Sequence, residues 1–369
     1  MKQLYIVKKQ LFENNFMSKI DTNILMSERI KKFNQFVMSL DINRIPIGLS
    51  SGKMGICIYF YQQARLTRDK AYQEFAEALF NSICNQVQFE TSINMEKGLV
   101  GISSGIDYLI TEKYIPNDVN KIMPIIDGRI LKIINANTEL QSGTITESEI
   151  VKPSINASMY FCKRLKNNNL HPNERFLTEN YIVETINRIE CVVLDKIFEE
   201  PYMFTLTNYF LPSYLFLLSN AYELKFFNYK IIRLLNDLTD KLISTYPLLQ
   251  SNRLFLSAAM RSIEKQESLT GWKEHILFLD QSVDIDTCLM NEFRNKSIFP
   301  NDGITGLYYL ISRIHQHKNI DLNLIREKII LSDAWDDYMK DESTLKTCIG
   351  LVTGFCGVVL TYQELTSRR

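Results

Sequence analysis

Seven cysteines and four histidines are the residues of this chain best suited to metal binding or nucleophilic chemistry. The cysteines are scattered, no two of them form a C-x-x-C pair, and none adjoins a histidine. Zinc sites that are recognisable from sequence need such local pairs of ligands. The spacing therefore predicts reduced thiols packed in helical cores. These cysteines are Cys57, Cys84, Cys162, Cys191, Cys288, Cys348 and Cys356.

Several other polar residues lie near short clusters of glycines or near the end of a predicted helix. Lys53 and Asp107 lie beside clusters of glycines, where they could contact a ligand, but charges near helix ends also interact with the helix dipole, and we favour that role. Serines beside the same clusters suit helix N-caps. The stretches 48–52 and 101–105 match Gly-x-Ser-x-Gly, but no predicted strand precedes them, as a nucleophile elbow requires. His315 and His317 follow the predicted helix that ends at Arg313. Residues two apart point apart on a helix, so a C-terminal turn that favours cationic side chains explains them better than a shared metal site.

Charge and composition exclude several function classes. The chain has 42 Lys+Arg and 42 Asp+Glu, so it lacks the overall basic character of a nucleic-acid-binding protein. No run of 18 apolar residues occurs, and the N-terminus has too short an apolar run for a signal peptide, so we expect a cytoplasmic protein without a membrane span. The glycine clusters follow no predicted strand and lack a G-K-[ST] ending, which argues against a nucleotide-binding fold.

Glycine placement is the most informative feature of the sequence. Eleven of the 14 glycines fall into four clusters, at 47–56, 98–105, 303–307 and 349–358. The first and the last of these share the pattern I-G-L-x-[ST]-G-x-x-G. Three weaker copies, with small residues in place of glycine, lie at 154–160, 211–216 and 257–260. The markers recur about every 50 residues, which predicts an internal repeat with seven copies.

The segments between the clusters have the pattern of amphipathic helices. Apolar residues recur at helical spacing, as in Ile30, Phe33, Val37 and Leu40, and no segment alternates as a strand would. Glycine inside a helix costs roughly 1 kcal/mol relative to alanine, so its repeated use indicates close backbone approach or turns with positive φ. Each repeat is predicted to contain an outer helix, a loop and an inner helix that begins at the small residues. We therefore predict an all-α fold, a seven-repeat double-layered α/α toroid, rather than an open solenoid.

These glycine clusters resemble those of the lanthionine synthetase C-like family, the cyclases of lanthipeptide maturation. The resemblance covers about residues 45–369. It implies a double-layered α/α barrel of seven repeats in which each inner helix begins with a G-x-x-G-type motif. It also implies a soluble protein that acts on a ribosomally made peptide at the mouth of the toroid.

Zinc is the cofactor that this resemblance implies. Cyclases of the family bind one zinc ion through a cysteine of the fifth repeat and a Cys-His pair of the sixth, and the metal activates a substrate thiol for addition to a dehydrated serine or threonine. Here Phe255 lies close to the fifth-repeat position, and Asn301 and Asp302 replace the Cys-His pair. Asparagine beside a single aspartate is a poor ligand set for zinc. We therefore predict no metal site and no cofactor, with Cys348 and Cys356 as the remaining conceivable ligands.

The same alignment supplies the candidate site residues. Tyr209 occupies the fourth-repeat position where the family has a histidine for proton transfer, and Glu147 or Glu149 lies nearest to the aspartate of the third repeat. The candidate catalytic residues at the toroid mouth are therefore Asp302, Asn301 and Tyr209.

Two functions remain open at this point. One is a cyclase-like protein of peptide modification with an altered, metal-free site, and the other is a non-catalytic relative that holds a peptide or an enzyme at the toroid mouth. The missing zinc ligands argue against the zinc-dependent reaction in both cases. The expected partners are a precursor peptide, a peptide-modifying enzyme or both, without nucleic acid. We expect an N-terminal extension at 1–27 and a single toroid domain at 28–369.

Overall fold

α-Helices dominate the computed structural model, which describes residues 19–116, 123–140, 147–166, 170, 172–313 and 321–367. These residues include no strand, so the all-α class is confirmed for them. The helices are α1 (Lys19–Ser39), α2 (Lys53–Thr67), α3 (Lys70–Gln86), α4 (Leu99–Thr111), α5 (Met123–Leu140), α6 (Glu147–Lys166), α7 (Pro172–Arg188), α8 (Leu194–Ile197), α9 (Phe210–Glu223), α10 (Asn228–Ser244), α11 (Gln250–Glu264), α12 (Trp272–Gln281), α13 (Ile285–Asn291), α14 (Ile304–Arg313), α15 (Leu322–Ile330), α16 (Ala334–Met339), α17 (Glu342–Thr347) and α18 (Phe355–Ser367). Short 3₁₀ turns cover Ile42–Arg44 and Val87–Phe89, and a π-helical turn covers Ile189–Val193.

Several helices bury a single apolar stripe, as the sequence pattern predicts. In α10 the buried residues are Ile231, Leu234, Leu235, Leu238 and Leu242, which lie on one face at helical spacing. This stripe packs the helix against α9 and α12. The polar residues between them face away from the core.

Two predicted helical segments differ in extent from the structure. The first described helix, α1, begins at Lys19, well before Ile30, the first residue of the predicted amphipathic pattern. The sequence also shows helical spacing in the series Ile182, Ile186, Ile189 and Val193. These residues do not belong to one regular α-helix, because α7 ends at Arg188 and a π-turn follows. A π-turn adds a residue to the turn and so changes which side chains share a face.

Other helices are buried nearly all round, which marks them as the central elements of the packing. In α2, every residue from Lys53 to Tyr61 is buried, and α4 is buried almost throughout. Burial on all sides requires neighbours on all sides. We use the term inner helices for α2, α4, α6, α9, α11, α14 and α18, the seven helices that contain the small-residue markers.

The inner helices contact one another in chain order. Contacts join α2 to α4, α4 to α6, α6 to α9, α9 to α11, α11 to α14 and α14 to α18, and α18 in turn contacts α2. The first six inner helices also pack against the helix that follows each of them: α3, α5, α7, α10, α12 and α15. This order of contacts is cyclic and brings the last inner helix to the first.

Helix α1 lies where the two ends of the chain meet. The ring of Phe33 packs 6.0 Å from that of Tyr59 in α2 and 5.7 Å from that of Phe355 in α18. Arg29 donates from Nη1 to the carbonyl oxygen of Ile330, at the end of α15, at 2.6 Å. Helix α1 therefore contacts α2, α15 and α18.

Four inner helices begin with the same hydrogen bond. The main-chain N–H of the first helical residue donates to the carbonyl oxygen seven positions earlier, so the preceding loop folds back over the helix N-terminus. This bond satisfies a donor that a helix end otherwise leaves unpaired. The four bonds are Lys53 to Pro46 (2.7 Å), Leu99 to Ser92 (2.8 Å), Ile304 to Ser297 (3.0 Å) and Phe355 to Cys348 (2.7 Å).

This loop geometry explains the G-x-x-G motif. In all four copies the carbonyl oxygen six residues before each glycine lies under 3.0 Å from where a Cβ atom would be, as with Gly52 and Pro46 or Gly55 and Leu49. Real Cβ atoms essentially never approach so closely. The motif thus serves close backbone approach and not positive φ, since Gly271 is the one described glycine with φ in that region.

Two inner helices depart from the predicted start. Helices α6 and α11 begin at Glu147 and Gln250, well before their markers Ala157 and Ala258. The prediction that every inner helix begins at its small residues is therefore wrong for these two. Alanine carries the Cβ atom that the folded-back loop excludes, so this cap cannot form around it.

Candidate functional site

Main-chain hydrogen bonds connect the loops that precede the inner helices. Ser50 donates to the carbonyl oxygen of Glu96 at 2.9 Å, and Val352 donates to that of Ser50 at 3.1 Å. Asn301 donates to Val352 at 2.9 Å, and the N–H of Leu206 donates to the carbonyl oxygen of Asn301 at 2.8 Å. We call the surface formed by segments 45–52, 92–98, 199–209, 297–303 and 348–354 the loop face.

Lys152 of α6 connects the two ends of this series. Its Nζ donates to Glu96 Oε1 at 2.6 Å and to Asn208 Oδ1 at 2.9 Å. Glu96 precedes the second inner helix and Asn208 precedes the fourth, so one side chain from the third bridges both. Together with the main-chain bonds, this bridge makes the series of contacts on the loop face continuous.

Asn301 lies at the centre of one of these connections. Besides its two main-chain bonds, its Oδ1 accepts hydrogen bonds from the hydroxyls of Thr207 at 2.9 Å and Thr205 at 3.3 Å. The side chain is partly buried. Asn301 therefore holds segment 297–303 against segment 199–209. The two threonine hydroxyls occupy its side-chain amide oxygen.

Asp302 differs from its neighbour because its side chain is exposed. Surrounding protein removes part of its hydration, which raises the pKa of its carboxyl above the ordinary value. Its charge also acts on Cys348, whose thiol pKa is raised by burial and, further, by Asp302. Asp302 is thus the one of the three candidates that offers a free-standing charged group to solvent at the loop face.

Tyr209 is buried at the end of the fourth-repeat loop, immediately before α9. Its ring packs edge-on to that of Phe255, with the centroids 6.1 Å apart. Burial raises the pKa of its hydroxyl, and the negative charge of Glu200 raises it further, so the phenol stays protonated at neutral pH. The group can donate a hydrogen bond but is a poor base.

The structure brings the three candidates to the same region but gives them different surroundings. Asn301 contacts the segment that leads to Tyr209, whereas Tyr209 packs on Phe255 and Asp302 faces solvent near Cys348. Their assignment as catalytic residues stays a prediction. All three residues belong to the loop face, in the segments that precede α9 and α14.

The positions where the resemblance places zinc do not suit that ion. Phe255 has no donor atom, and the amide oxygen of Asn301 already accepts two hydroxyl protons. Zinc needs three or four nitrogen, sulfur or oxygen ligands around one point. Across the described ranges, no three His, Cys, Asp or Glu side chains are grouped so that they could hold a metal ion. His171, His315 and His317 lie outside those ranges, and the side chains of Glu147 and Glu149 are likewise not described.

The two charged residues beside the glycine clusters have structural partners. Lys53 is buried, and its Nζ donates to Ser82 Oγ at 2.9 Å and to Gln86 Oε1 at 2.8 Å. Burial lowers the pKa of this ammonium group. Asp107 pairs with Lys163 at 2.6 Å. Both therefore connect helices, which differs from the helix-dipole role favoured by the sequence.

Cysteine burial matches the expectation of core thiols for four of the seven. Cys57, Cys162, Cys288 and Cys356 are buried, and burial raises the pKa of each thiol, which suppresses the reactive thiolate. Cys191 is exposed. All seven are free thiols.

Sequence reasoning missed Lys152 and the two threonines that hold Asn301. Lys152 is separated by 56 residues from each of its partners, which is close to one repeat in either direction. The repeat period was the available signal, because it places Glu96, Lys152 and Asn208 in successive copies. The residue types alone gave no signal, since an isolated lysine such as Lys152 cannot be distinguished from any other lysine on the surface.

Comparison with known proteins adds no family assignment. No protein-family model matches the chain, and no curated protein matches it at a significant level. None of the helices in the described ranges has both the length and the apolar character needed to cross a bilayer.

Proposed function

We propose that this chain is a closed seven-repeat α/α toroid of the lanthionine synthetase C-like kind. We further propose that it takes part in the modification of a ribosomally made peptide without zinc-dependent cyclase chemistry. The observation that carries the proposal is the cyclic order of contacts, in which α18 packs on α2 and Val352 bonds to Ser50. The shared N-terminal caps of α2, α4, α14 and α18 support it, because they give the G-x-x-G motif the structural role that a toroid needs.

Peptide binding is assigned to the loop face. Loops placed by a rigid scaffold commonly carry binding sites. There Asp302 offers an exposed carboxylate, which attracts a cationic or N–H-donating group of a peptide. Asn301 and Lys152 hold the loops on either side in place and so keep the surface preorganised. A chain with seven free cysteines suits a reducing compartment, so we place this function in the cytoplasm.

The chemistry available at this surface argues for binding without ring closure. Thioether formation needs a thiolate, and the cyclases produce it with zinc; the aligned positions here are Phe255, Asn301 and Asp302. Tyr209 remains protonated and cannot take up the thiol proton at neutral pH. The second candidate function follows directly, namely a scaffold that holds a precursor peptide or a peptide-modifying enzyme for a reaction carried out elsewhere.

Binding and thiol consumption, measured on the same peptide, test the proposal. The probe is a dehydrated, cysteine-bearing peptide titrated into the purified chain, with fluorescence anisotropy to report binding. Thiol alkylation followed by mass spectrometry then counts the free cysteines after incubation, with and without added zinc.

We expect saturable binding and an unchanged number of free thiols under both conditions. Loss of thiols at constant peptide mass would show cyclisation and contradict the non-cyclase function. Absence of binding to this peptide and to its unmodified precursor would contradict peptide recognition itself.

A further inference from the structure

An exposed apolar surface lies beside the loops that precede α9 and α11. Tyr202 is 100% exposed and Leu248 is 83% exposed, although both belong to loops that are otherwise well bonded. The rings of Tyr246 and Phe278 pack nearby at a tilt of 39°, with their centroids 5.3 Å apart. We call this surface the apolar patch and define it as Tyr202, Met203, Ile243, Tyr246, Leu248 and Phe278.

Two charged residues hold the centre of the patch in a fixed shape. Glu200 accepts the main-chain N–H of Leu248 at 2.7 Å and of Leu249 at 3.0 Å. Arg253 donates to the carbonyl oxygen of Leu248 at 3.1 Å, and its guanidinium lies 4.1 Å from the centre of the Tyr246 ring. Both main-chain groups of Leu248 are therefore bonded while its side chain projects into solvent. A surface that is already rigid loses little conformational entropy when it binds.

A small cavity opens at the edge of the same patch. It has a volume of about 260 Å³, and its apolar wall includes Ile197, Pro201, Tyr202 and Phe210. Ligand sites for whole small molecules start at roughly 300 Å³, so a space of this size suits one or two side chains of a protein. The patch thus presents the projecting side chain of Leu248 and, nearby, a cavity that can receive such a side chain.

We propose that the apolar patch is the interface of a symmetric dimer, in which Leu248 of each copy enters the cavity beside Tyr202 of the other. A two-fold axis places the same patch on both subunits, so a projection and a hole on one surface pair twice. A fully exposed large side chain offers ~200 Å² of surface. Scaled by their exposed fractions, the six patch residues together expose roughly 800 Å², which is the area that one partner buries in a standard interface.

The charges around the patch also permit two copies to meet. Glu200 and Arg253 are occupied by the main chain, and the nearby Lys241 and Asp195 pair with each other at 2.8 Å. The cavity wall carries both Lys196 and Glu199, so a two-fold axis can place opposite signs across the interface. The patch shares Tyr202 and Met203 with the loop face, but the inference rests on no property of a peptide, because the dimer forms from two copies of this chain alone.

Sedimentation velocity of the full chain tests the inference. We expect the unaltered protein to sediment as a dimer of the 43.0 kDa chain at micromolar concentration. Leu248→Asp places a charge in the cavity of the other copy and should raise the dimer dissociation constant by at least about tenfold. Tyr202→Asp should act in the same direction from the other side of the contact.

Tyr229→Asp is the matched control, because Tyr229 is 84% exposed but lies outside the patch. It should leave the dimer intact. Circular dichroism should show the same helix content in all three variants, since each side chain is exposed in the folded chain. A monomer at every concentration of the unaltered protein, or a dimer that survives both patch variants, would overturn the proposal and leave the patch to a different partner.

Discussion

The main-chain N–H of Val352 donates to the carbonyl oxygen of Ser50 at 3.1 Å, across almost the whole length of the sequence. Ser50 precedes the first inner helix and Val352 precedes the last. The same Ser50 donates to Glu96, before the second inner helix. Ser50 therefore connects the loops that precede α2, α4 and α18.

Substitution of Gly350 tests how much stability this junction contributes. A Cβ atom at Gly350 would lie under 3.0 Å from the carbonyl oxygen of Ser50 and from Ser51 Cα, and these are main-chain atoms. The loops must separate, so we expect Gly350→Ala to lower the free energy of unfolding by about 1–3 kcal/mol. Urea denaturation monitored by circular dichroism measures the change.

Gly128→Ala is the control for this substitution. Gly128 lies inside α5, and a Cβ atom there has open space around it. Alanine is the better helix former, so this variant should gain up to about 1 kcal/mol. Equal effects of the two substitutions would mean that the contact between the terminal repeats is not tight.

A buried ion pair between α5 and α6 gives a second prediction. Asp127 accepts from Arg164 Nε at 2.9 Å and from the hydroxyl of Tyr160, and all three side chains are buried. Burial opposes the charge on Arg164, but the carboxylate of Asp127 compensates for it and the pKa of the guanidinium is raised.

Arg164→Met leaves the Asp127 carboxylate buried without its cation and should cost about 3–5 kcal/mol of unfolding free energy. The double variant Asp127→Leu, Arg164→Met removes both charges and should recover much of that loss. Urea denaturation of the two single variants and the double variant completes the cycle. Additive losses would contradict a direct coupling between the two residues.

The sequence predicted those parts of the fold whose contacts restrict which residue type can stand at a given position. The starts of α2, α4, α14 and α18 were predictable because a main-chain carbonyl occupies the space of a Cβ atom, and only glycine satisfies that condition. The stripe of α10 was predictable because burial of one face requires helical spacing. Both constraints act on residue type at fixed positions, so they appear in the sequence.

The candidate site was less predictable, because its contacts impose weaker constraints on residue type. Lys152, Thr205 and Thr207 act through single side-chain hydrogen bonds to residues far away in the chain. A threonine or a lysine in a polar loop has many equivalent roles, and local spacing does not distinguish them. The early start of α6 was missed for a similar reason, since nothing marks a helix end where glycine is absent.

His275 provides a prediction about pH. Its Nε2 lies 3.1 Å from the carbonyl oxygen of Thr245, which can only accept, so the neutral ring carries its proton on Nε2. Burial lowers the pKa of this imidazole below its ordinary value of 6.5, although the Thr245 contact partly opposes the effect. As the pH falls through 6.5, the unfolded chain takes up a proton that the folded chain does not.

The free energy of unfolding should therefore decrease between pH 8 and pH 5.5, and less steeply in His275→Gln, which lacks the titrating group. Urea denaturation at several pH values gives both curves, and their difference isolates His275 from the carboxylates. Parallel curves would show that His275 has the same pKa in both states.

The adjacent residues Asn301 and Asp302 separate a structural role from a binding role. Asn301→Ala removes the acceptor of the Thr205 and Thr207 hydroxyls, so it should lower the free energy of unfolding by about 1–2 kcal/mol. Asp302→Ala removes an exposed carboxylate and should leave stability within about 0.5 kcal/mol of the unaltered chain.

Asp302→Ala should change peptide affinity, although it leaves the free energy of unfolding nearly unchanged. If the loop face binds the peptide, Asp302→Ala weakens binding in the anisotropy titration, and Asp302→Asn shows whether the charge or the hydrogen-bond acceptor is needed. Glu74→Ala, which removes an exposed carboxylate from α3, outside the segments of the loop face, should leave affinity unchanged. An unchanged affinity in Asp302→Ala would exclude Asp302 from the peptide site, because neither stability nor peptide binding would then depend on its carboxylate.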